Sequence, residues 1–384
     1  MKIVYCIPAL YNPSGMERVL TMKANYLALQ GYEIHIILTD GGNKPPYFPL
    51  EKSVQVHQLD IDFEEPYHHP FLRRVWLYQK KMKALKKQLN ACLCELKPDI
   101  TVSLLRRDVN VINQMTDGSP KVGEIHFDRL HYRHFTASWM PAFIYSYVQK
   151  WWMGKLIREL KKLDKFVVLT HEDAAFWPEL DNVMVIPNPT SFFPDMVSDC
   201  TQKQVIAAGR YVDQKGFDRL ISAWRKVADK HPDWVLKIYG DGRLREQLQQ
   251  QIVELDIEGR CFLEHSVPDI AAKFWESSIF VLSSKFEGFG LVIVEAMSCG
   301  LPVVSFACHC GPRDIISEKV DGFLVPEGDI DGLAEKIDYL IEEDEVRTKM
   351  GKMARLKAES YKIEQIGPQW IALFESLYKS EKSK

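Results

Sequence analysis

The sequence predicts an α/β protein built from two Rossmann-like domains, each a doubly wound parallel sheet. Three observations carry this. The 384 residues exceed what one hydrophobic core usually organises. Short apolar runs alternate with helix-periodic segments along the chain. One stretch near the middle, 187–203 (PNPTSFFPDMVSDCTQK), lacks periodicity and is rich in Pro, Ser and Asp, as an interdomain joint should be.

The elements follow in order. The first half reads as strands KIVYCIPAL, EIHIILTD, SVQVHQLD, DITVSLL, PKVGEIHF, KFVVLT and NVMVIP, with helical patterns between most of them. The second half gives KQVIAAG, WVLKIYG, CFLEHS, IFVLSS, PVVSF and GFLVP. Ile366, Trp370, Phe374 and Leu377 then mark a C-terminal helix that frays into SEKSK. No repeat of solenoid length and no low-complexity tract is visible. Two such domains predict a site in the cleft between them.

Composition narrows the function classes. The chain is 46% hydrophobic and 26% charged with a net charge of −3, an ordinary globular balance. No apolar stretch reaches the length of a membrane span. The start, MKIVYCIPAL, runs into YNPSGMERVL without a small-residue cleavage site, so it reads as a first buried strand rather than a signal peptide. The eight Cys fall mostly in apolar segments. Cys308-His309-Cys310 has no second ligand pair at a usable spacing, which argues against zinc. Reduced thiols suit a cytoplasmic protein.

Charge is uneven. Residues 1–190 carry 24 Lys+Arg against 20 Asp+Glu, the remainder 25 against 32. The basic excess concentrates in 66–94, which holds no acidic residue. There Val75, Tyr78, Met82, Leu85, Leu89 and Cys92 make an apolar stripe, with Arg73, Lys80, Lys83 and Lys87 facing away. This is either a solvated surface helix or one drawn to an anionic membrane, peripheral on the inner leaflet. Nucleic acid is disfavoured by the acidic whole. The aromatic segment 139–153 reads first as a core helix, with a lipid- or acceptor-facing patch as the alternative.

Residues 284–300, SKFEGFGLVIVEAMSCG, hold the candidate site. IFVLSS is a buried strand, Gly288 and Gly290 space a loop, and a helix then runs to Gly300. Glu287 falls in the loop beyond the carboxyl end of a parallel strand, where such sheets bind ligands. Glu295, eight positions on, is expected about two turns into the helix. At ordinary glutamate abundance such a pair alone is weak.

The ordered set of segments is more specific. PSGMERVL, EIHF at 124–127, VVLTHED at 167–173, VIPNP at 185–189, AAGRYVDQKGFDRLISAW, YGDGRL, the 284–300 core, GPRDII and GFLVPEGD together resemble the family 4 retaining glycosyltransferases. The likeness covers nearly the whole chain and is strongest over 204–328. It implies GT-B architecture: an acceptor-side domain 1–188, completed by helix 362–384, and a donor-side domain 189–361. It also implies a nucleotide diphosphate sugar as co-substrate, with UDP the expected nucleotide and GDP or ADP the alternatives. A glycan or lipid-linked acceptor, in polysaccharide or glycoconjugate assembly, would receive the sugar.

The resemblance assigns roles that chemistry makes sensible. Arg210 and Lys215 would neutralise the leaving diphosphate. The N–H groups of Phe289, Gly290 and Leu291 would meet phosphate oxygens at a helix start. Glu287 would accept from the sugar hydroxyls and Glu295 from the ribose hydroxyls. His126 is placed at the donor sugar, and Gly15 lets backbone approach the ligand. Ser14 stands where many relatives carry a first glycine, and Cys310 where many carry another. No Asp-x-Asp metal motif occurs in a suitable loop, so no metal or other cofactor is expected.

Each residue also has a plain reading: Arg210 and Lys215 as solvated charges, Glu295 as an exposed helical glutamate, His126 as a satisfied surface histidine like its neighbours His131 and His134. Gly240 and Gly242 lack the third glycine of a dinucleotide fingerprint and read as a tight βα turn. Two rival functions share the fold. A sugar-nucleotide epimerase needs carboxylates poised for proton abstraction, which these loops do not supply. A non-catalytic partner subunit is disfavoured because the donor-side residues are all present.

Overall fold

The computed structural model describes residues 1–42, 44–130 and 142–382. His131, His134 and Trp139 lie outside the described residues. Contacts divide the chain into two units. The first is Met1–Leu169, Asp173–Ile186 and Ile366–Lys384; the second is Thr170–Glu172 and Pro187–Gln365.

The first unit is a seven-stranded parallel sheet. Its strands are β1 Lys2–Ile7, β2 Glu33–Leu38, β3 Gln55–Gln58, β4 Ile100–Ser103, β5 Lys121–Glu124, β6 Lys165–Val168 and β7 Val183–Val185. Their spatial order is β3-β2-β1-β4-β5-β6-β7. Connections therefore run outward in opposite directions from β1 and β4, and the loops beyond those two strands flank the switch point where a ligand crevice opens. Alternation along β1 divides the core in two. Ile3, Tyr5 and Ile7 pack with helix α1 (Gly15–Leu29) and with Trp370 and Phe374 of the C-terminal helix. Val4 and Cys6 pack with α2 (Phe71–Leu96) and α3 (Ala142–Leu160). A short α4 (His171–Ala175) follows β6.

Two expectations for this unit are corrected. On α2, Val75 is exposed, and the buried positions are Leu77, Leu85, Leu89 and Leu93. The stripe starts later because the first six residues, Phe71 to Trp76, are all exposed. Arg73, Lys80, Lys83 and Lys87 do face solvent. The core reading of the 139–153 aromatics fails for Phe143, Tyr147 and Trp151, which are exposed, while Tyr145 and Trp152 are half-buried; the buried positions of α3 are Leu156 and Leu160.

The second unit is a six-stranded parallel sheet in the order β10-β9-β8-β11-β12-β13. The strands are β8 Gln204–Ala208, β9 Val235–Tyr239, β10 Cys261–Glu264, β11 Ile279–Leu282, β12 Val303–Phe306 and β13 Gly322–Val325. Its helices are α5 Phe217–Lys230, α6 Arg245–Glu254, α7 Ile270–Trp275, α8 Leu291–Ser298, α9 Pro312–Ile315, α10 Ile330–Glu342 and α11 Asp344–Ala358. The last helix, α12 (Ile363–Lys382), then returns the chain to the first unit. Apolar faces recur at helical spacing on α5, so Leu220, Trp224 and Val227 are fully buried against the sheet. Trp224 satisfies its indole by donating to the Arg260 carbonyl at 2.8 Å. Here the switch point lies between β8 and β11.

Candidate active site

The second unit brings Arg210, Lys215, Glu287 and the start of α8 to its switch point. Arg210 follows β8 by two residues and is exposed. Its guanidinium has no hydrogen-bond or ion-pair partner among the described residues. Its neighbour fixes the loop: Tyr211 is fully buried, and its hydroxyl donates toward the carbonyls of Ile238 (2.7 Å) and Glu264 (2.5 Å). The YGDGRL glycines serve the same loop. A Cβ on Gly240 would stand 1.9 Å from the Gly209 carbonyl oxygen, and one on Gly242 2.5 Å from that of Tyr211. They permit two loops to cross closely, which is the tight-turn reading.

Lys215 ends a short 3-10 turn before α5, and its ammonium donates to Glu287 Oε1 at 2.7 Å. Ser284 donates to the same oxygen at 2.6 Å. Glu287 is buried, its backbone N–H bonded to the His309 carbonyl at 3.0 Å. The solvated-charge reading thus fails for Lys215, which is committed to a buried carboxylate. An ammonium has three donors, so this bond leaves capacity for a ligand oxygen. Lys215 and Glu287 form one unit rather than two independent contacts.

Gly290 caps α8 with φ +84, a left-handed conformation costly for other residues. The N–H groups of Phe289, Gly290 and Leu291 meet no acceptor among the described residues. Three free donors at the positive end of a helix suit an anion. The Phe289 ring is itself buried against Tyr361, which leaves its backbone N–H as the group it can offer. Glu295 is corrected in its position, and its plain reading as an exposed residue fails. It lies one turn into α8, since the helix starts at Leu291, and it is buried.

Sequence reasoning missed Ser284, Glu172 and Arg313. Glu172 Oε2 accepts from the Cys310 N–H at 3.0 Å, and Oε1 from Arg313 at 2.5 Å. Cys310 holds φ +60, which accounts for a glycine being favoured there. The chain approaches closely at the next residue too, where a Cβ on Gly311 would fall 1.9 Å from the Phe289 carbonyl oxygen. Burial pushes the Cys308 thiol well up. Among the described residues no group of three or more His, Cys, Asp or Glu side chains could hold a metal ion.

The first unit gathers a second cluster at its own switch point. His126 lies two residues beyond the carboxyl end of β5. Its Nε2 is 3.1 Å from Glu124 Oε1, though off line for a regular hydrogen bond. Glu124 is fully buried and takes Lys23 Nζ on both oxygens at 2.5 Å. Burial alone would push this carboxyl up; Lys23 and His126 beside it prevail and hold it down, at about 2. Burial draws the Lys23 ammonium down, with Glu124 opposing. The Trp370 ring lies 4.1 Å from the Lys23 ammonium, a cation–π contact.

Glu17, near the start of α1, is buried and pushed up by that burial, with Arg106 and His126 acting against it. One of its oxygens has no hydrogen-bond partner among the described residues. A Cβ on Gly15 would meet open space. No described protein atom demands glycine there.

Residues 191–357 match the family described as glycosyl transferases group 1. The matched stretch lies within the second unit. Relatives extend the likeness over the whole chain. An uncharacterised glycosyltransferase of Haemophilus influenzae is 29% identical over 379 residues, 96% of this chain and 98% of that protein. A Campylobacter jejuni enzyme is 24% identical over 384 residues, 97% and 98% of the two chains. That enzyme is named as an α-1,4-N-acetylgalactosaminyltransferase acting on a diphosphoundecaprenol-linked glycan. Among solved structures, S. aureus TarM with UDP bound superposes with a TM-score of 0.76 at 17% identity, covering 97% of this chain and 99% of its own. The fold is GT-B, and the stretch that matches the family contains Arg210, Lys215, Ser284, Glu287, the start of α8 and Glu295.

Proposed function

We propose that this protein is a retaining glycosyltransferase that moves a sugar from a UDP-sugar to a glycan or lipid-linked acceptor in polysaccharide or glycoconjugate assembly, without a metal ion. The observation that carries the reading is the Lys215–Glu287–Ser284 cluster beside three free N–H donors at the start of α8. Cation, carboxylate and helix end suit the diphosphate and the sugar of one ligand. Relatives support the class: the acceptor in the Campylobacter enzyme's name is lipid-linked, and TarM was solved with UDP.

In this scheme the bond from the anomeric carbon to the β-phosphate oxygen breaks and the electron pair leaves with UDP. Arg210, Lys215 and the α8 amides stabilise that charge. The acceptor hydroxyl oxygen bonds to the same face of the sugar, and its proton passes to the leaving phosphate. Glu287 holds sugar hydroxyls, Glu295 the ribose, and His126 the sugar. No enzyme nucleophile is assigned.

Thermal shift with UDP, GDP and ADP tests the donor. UDP at a hundred times its Kd should add about 2.7 kcal/mol of stability, and a shift with GDP or ADP alone would overturn the base assignment. Product anomeric configuration by NMR tests retention, and full turnover after EDTA treatment is expected. Arg210→Ala is expected to weaken UDP binding and turnover together, each by about tenfold or more. Loss of turnover with unchanged UDP affinity would take Arg210 off the diphosphate.

A further inference from the structure

The two helices on the Val4/Cys6 face of the first sheet share an unusual surface. On α2, Phe71, Leu72 and Trp76 are each more than half exposed; on α3, so are Phe143, Tyr147 and Trp151. Each group occupies the N-terminal part of its helix. A crossover helix in a parallel sheet runs opposite to the strands, so both helix starts lie at the carboxyl edge of the sheet. Both helices pack on one hydrophobic cluster, α2 through Leu85 and Leu89, α3 through Leu156 and Leu160. The exposed apolar residues therefore lie on one face of the sheet, toward one edge.

Scattered apolar residues on a surface need no explanation, but a concentrated aromatic patch does. Charge says what covers this one. Residues 66–94 contain no acidic side chain, while Arg73, Lys80, Lys83 and Lys87 are all exposed. Lys80 lies 5.5 Å from the Trp76 ring, so cation and aromatic share one spot. Trp and Tyr favour the headgroup level of a bilayer, and basic residues beside them favour anionic lipid. Among the described residues no helix is long and apolar enough to cross a membrane, so attachment through this face would be peripheral.

We infer that the first turns of α2 and the exposed half of α3 form a docking surface for an anionic lipid bilayer, with aromatic side chains entering the headgroup layer and the α2 cations over it. The same sheet edge carries Gly15, Glu17, Arg106 and His126. On the glycosyltransferase reading, docking turns those residues toward lipid, as an acceptor held in the membrane requires. The docking itself does not depend on that reading.

Co-sedimentation of the full chain with phosphatidylcholine vesicles, with and without about one third phosphatidylglycerol, tests the inference. Binding is expected only to the anionic vesicles at about 0.1 M salt, weakening as salt rises. L72S/W76S should reduce binding by about tenfold or more, and K80Q/K83Q by roughly fivefold per cation removed. Turnover on a short water-soluble acceptor should be unchanged in both, which separates lost docking from lost folding. Failure of the unaltered protein to bind anionic vesicles would overturn the inference, as would full binding by both variants. A dimer in sedimentation equilibrium that L72S/W76S dissolves would show that a second copy covers the face instead. Loss of sugar transfer with vesicle binding intact would count against the proposed function alone.

Discussion

Glu287→Ala is expected to lower kcat by about a hundredfold or more while UDP affinity stays within about threefold. The carboxylate is assigned to the transferred sugar, so its loss acts where charge develops rather than where the nucleotide is held. The structure adds a second consequence. Lys215 and Ser284 both donate to Glu287 Oε1, and alanine leaves the Lys215 ammonium partly buried without its acceptor. Some stability should be lost too, about 1–3 kcal/mol. Glu287→Gln keeps an acceptor for Lys215 and removes only the charge. It should recover stability without recovering turnover. Turnover with a UDP-sugar, UDP titration calorimetry and urea midpoints on both variants separate the effects. Unaltered kcat in either variant would remove Glu287 from the reaction.

Lys23→Met is expected to cost about 3–5 kcal/mol, because it strands the fully buried Glu124 carboxylate without its cation. The double variant Lys23→Met with Glu124→Leu should regain most of that, since paired replacement of a buried ion pair by apolar side chains is often neutral or stabilising. The pH dependence has a definite sign. Glu124 is held at about 2 in the folded protein, below its ordinary value of 4.5. Its contribution is therefore complete above pH 4.5 and fades as pH falls from there toward 2. Urea midpoints at neutral pH and near pH 3 measure both effects. Equal stability of Lys23→Met and the unaltered protein would mean that the pair does not hold the first unit together.

The parallel sheets were legible because their strands are short apolar runs bounded by turns, as in IFVLSS and PVVSF. Strand identity needs only local pattern, and the βα loops then place Arg210 and Glu287 at the switch point. The errors have physical causes. Val75 fits the helical stripe of α2, but periodicity cannot show that a helix starts before it reaches the sheet. The aromatics of α3 looked like core for the same reason. Glu124 was missed although a signal existed: a carboxylate inside the apolar run VGEIHF and a lysine inside α1 each lack a local partner, and they find one another across 101 residues. The Glu172 contacts span more than 130 residues and leave no local trace.

The return of α12 to the first unit bears on synthesis. Ile366, Trp370, Leu373 and Phe374 cover the Ile3/Tyr5/Ile7 face, and burying four such side chains is worth roughly 8 kcal/mol. That is comparable to the whole net stability of an ordinary domain, about 5–15 kcal/mol. A nascent chain on the ribosome thus completes its second Rossmann-like unit before its first. Until α12 is made, α1 covers the Ile3/Tyr5/Ile7 face only in part, and apolar surface stays open to chaperones.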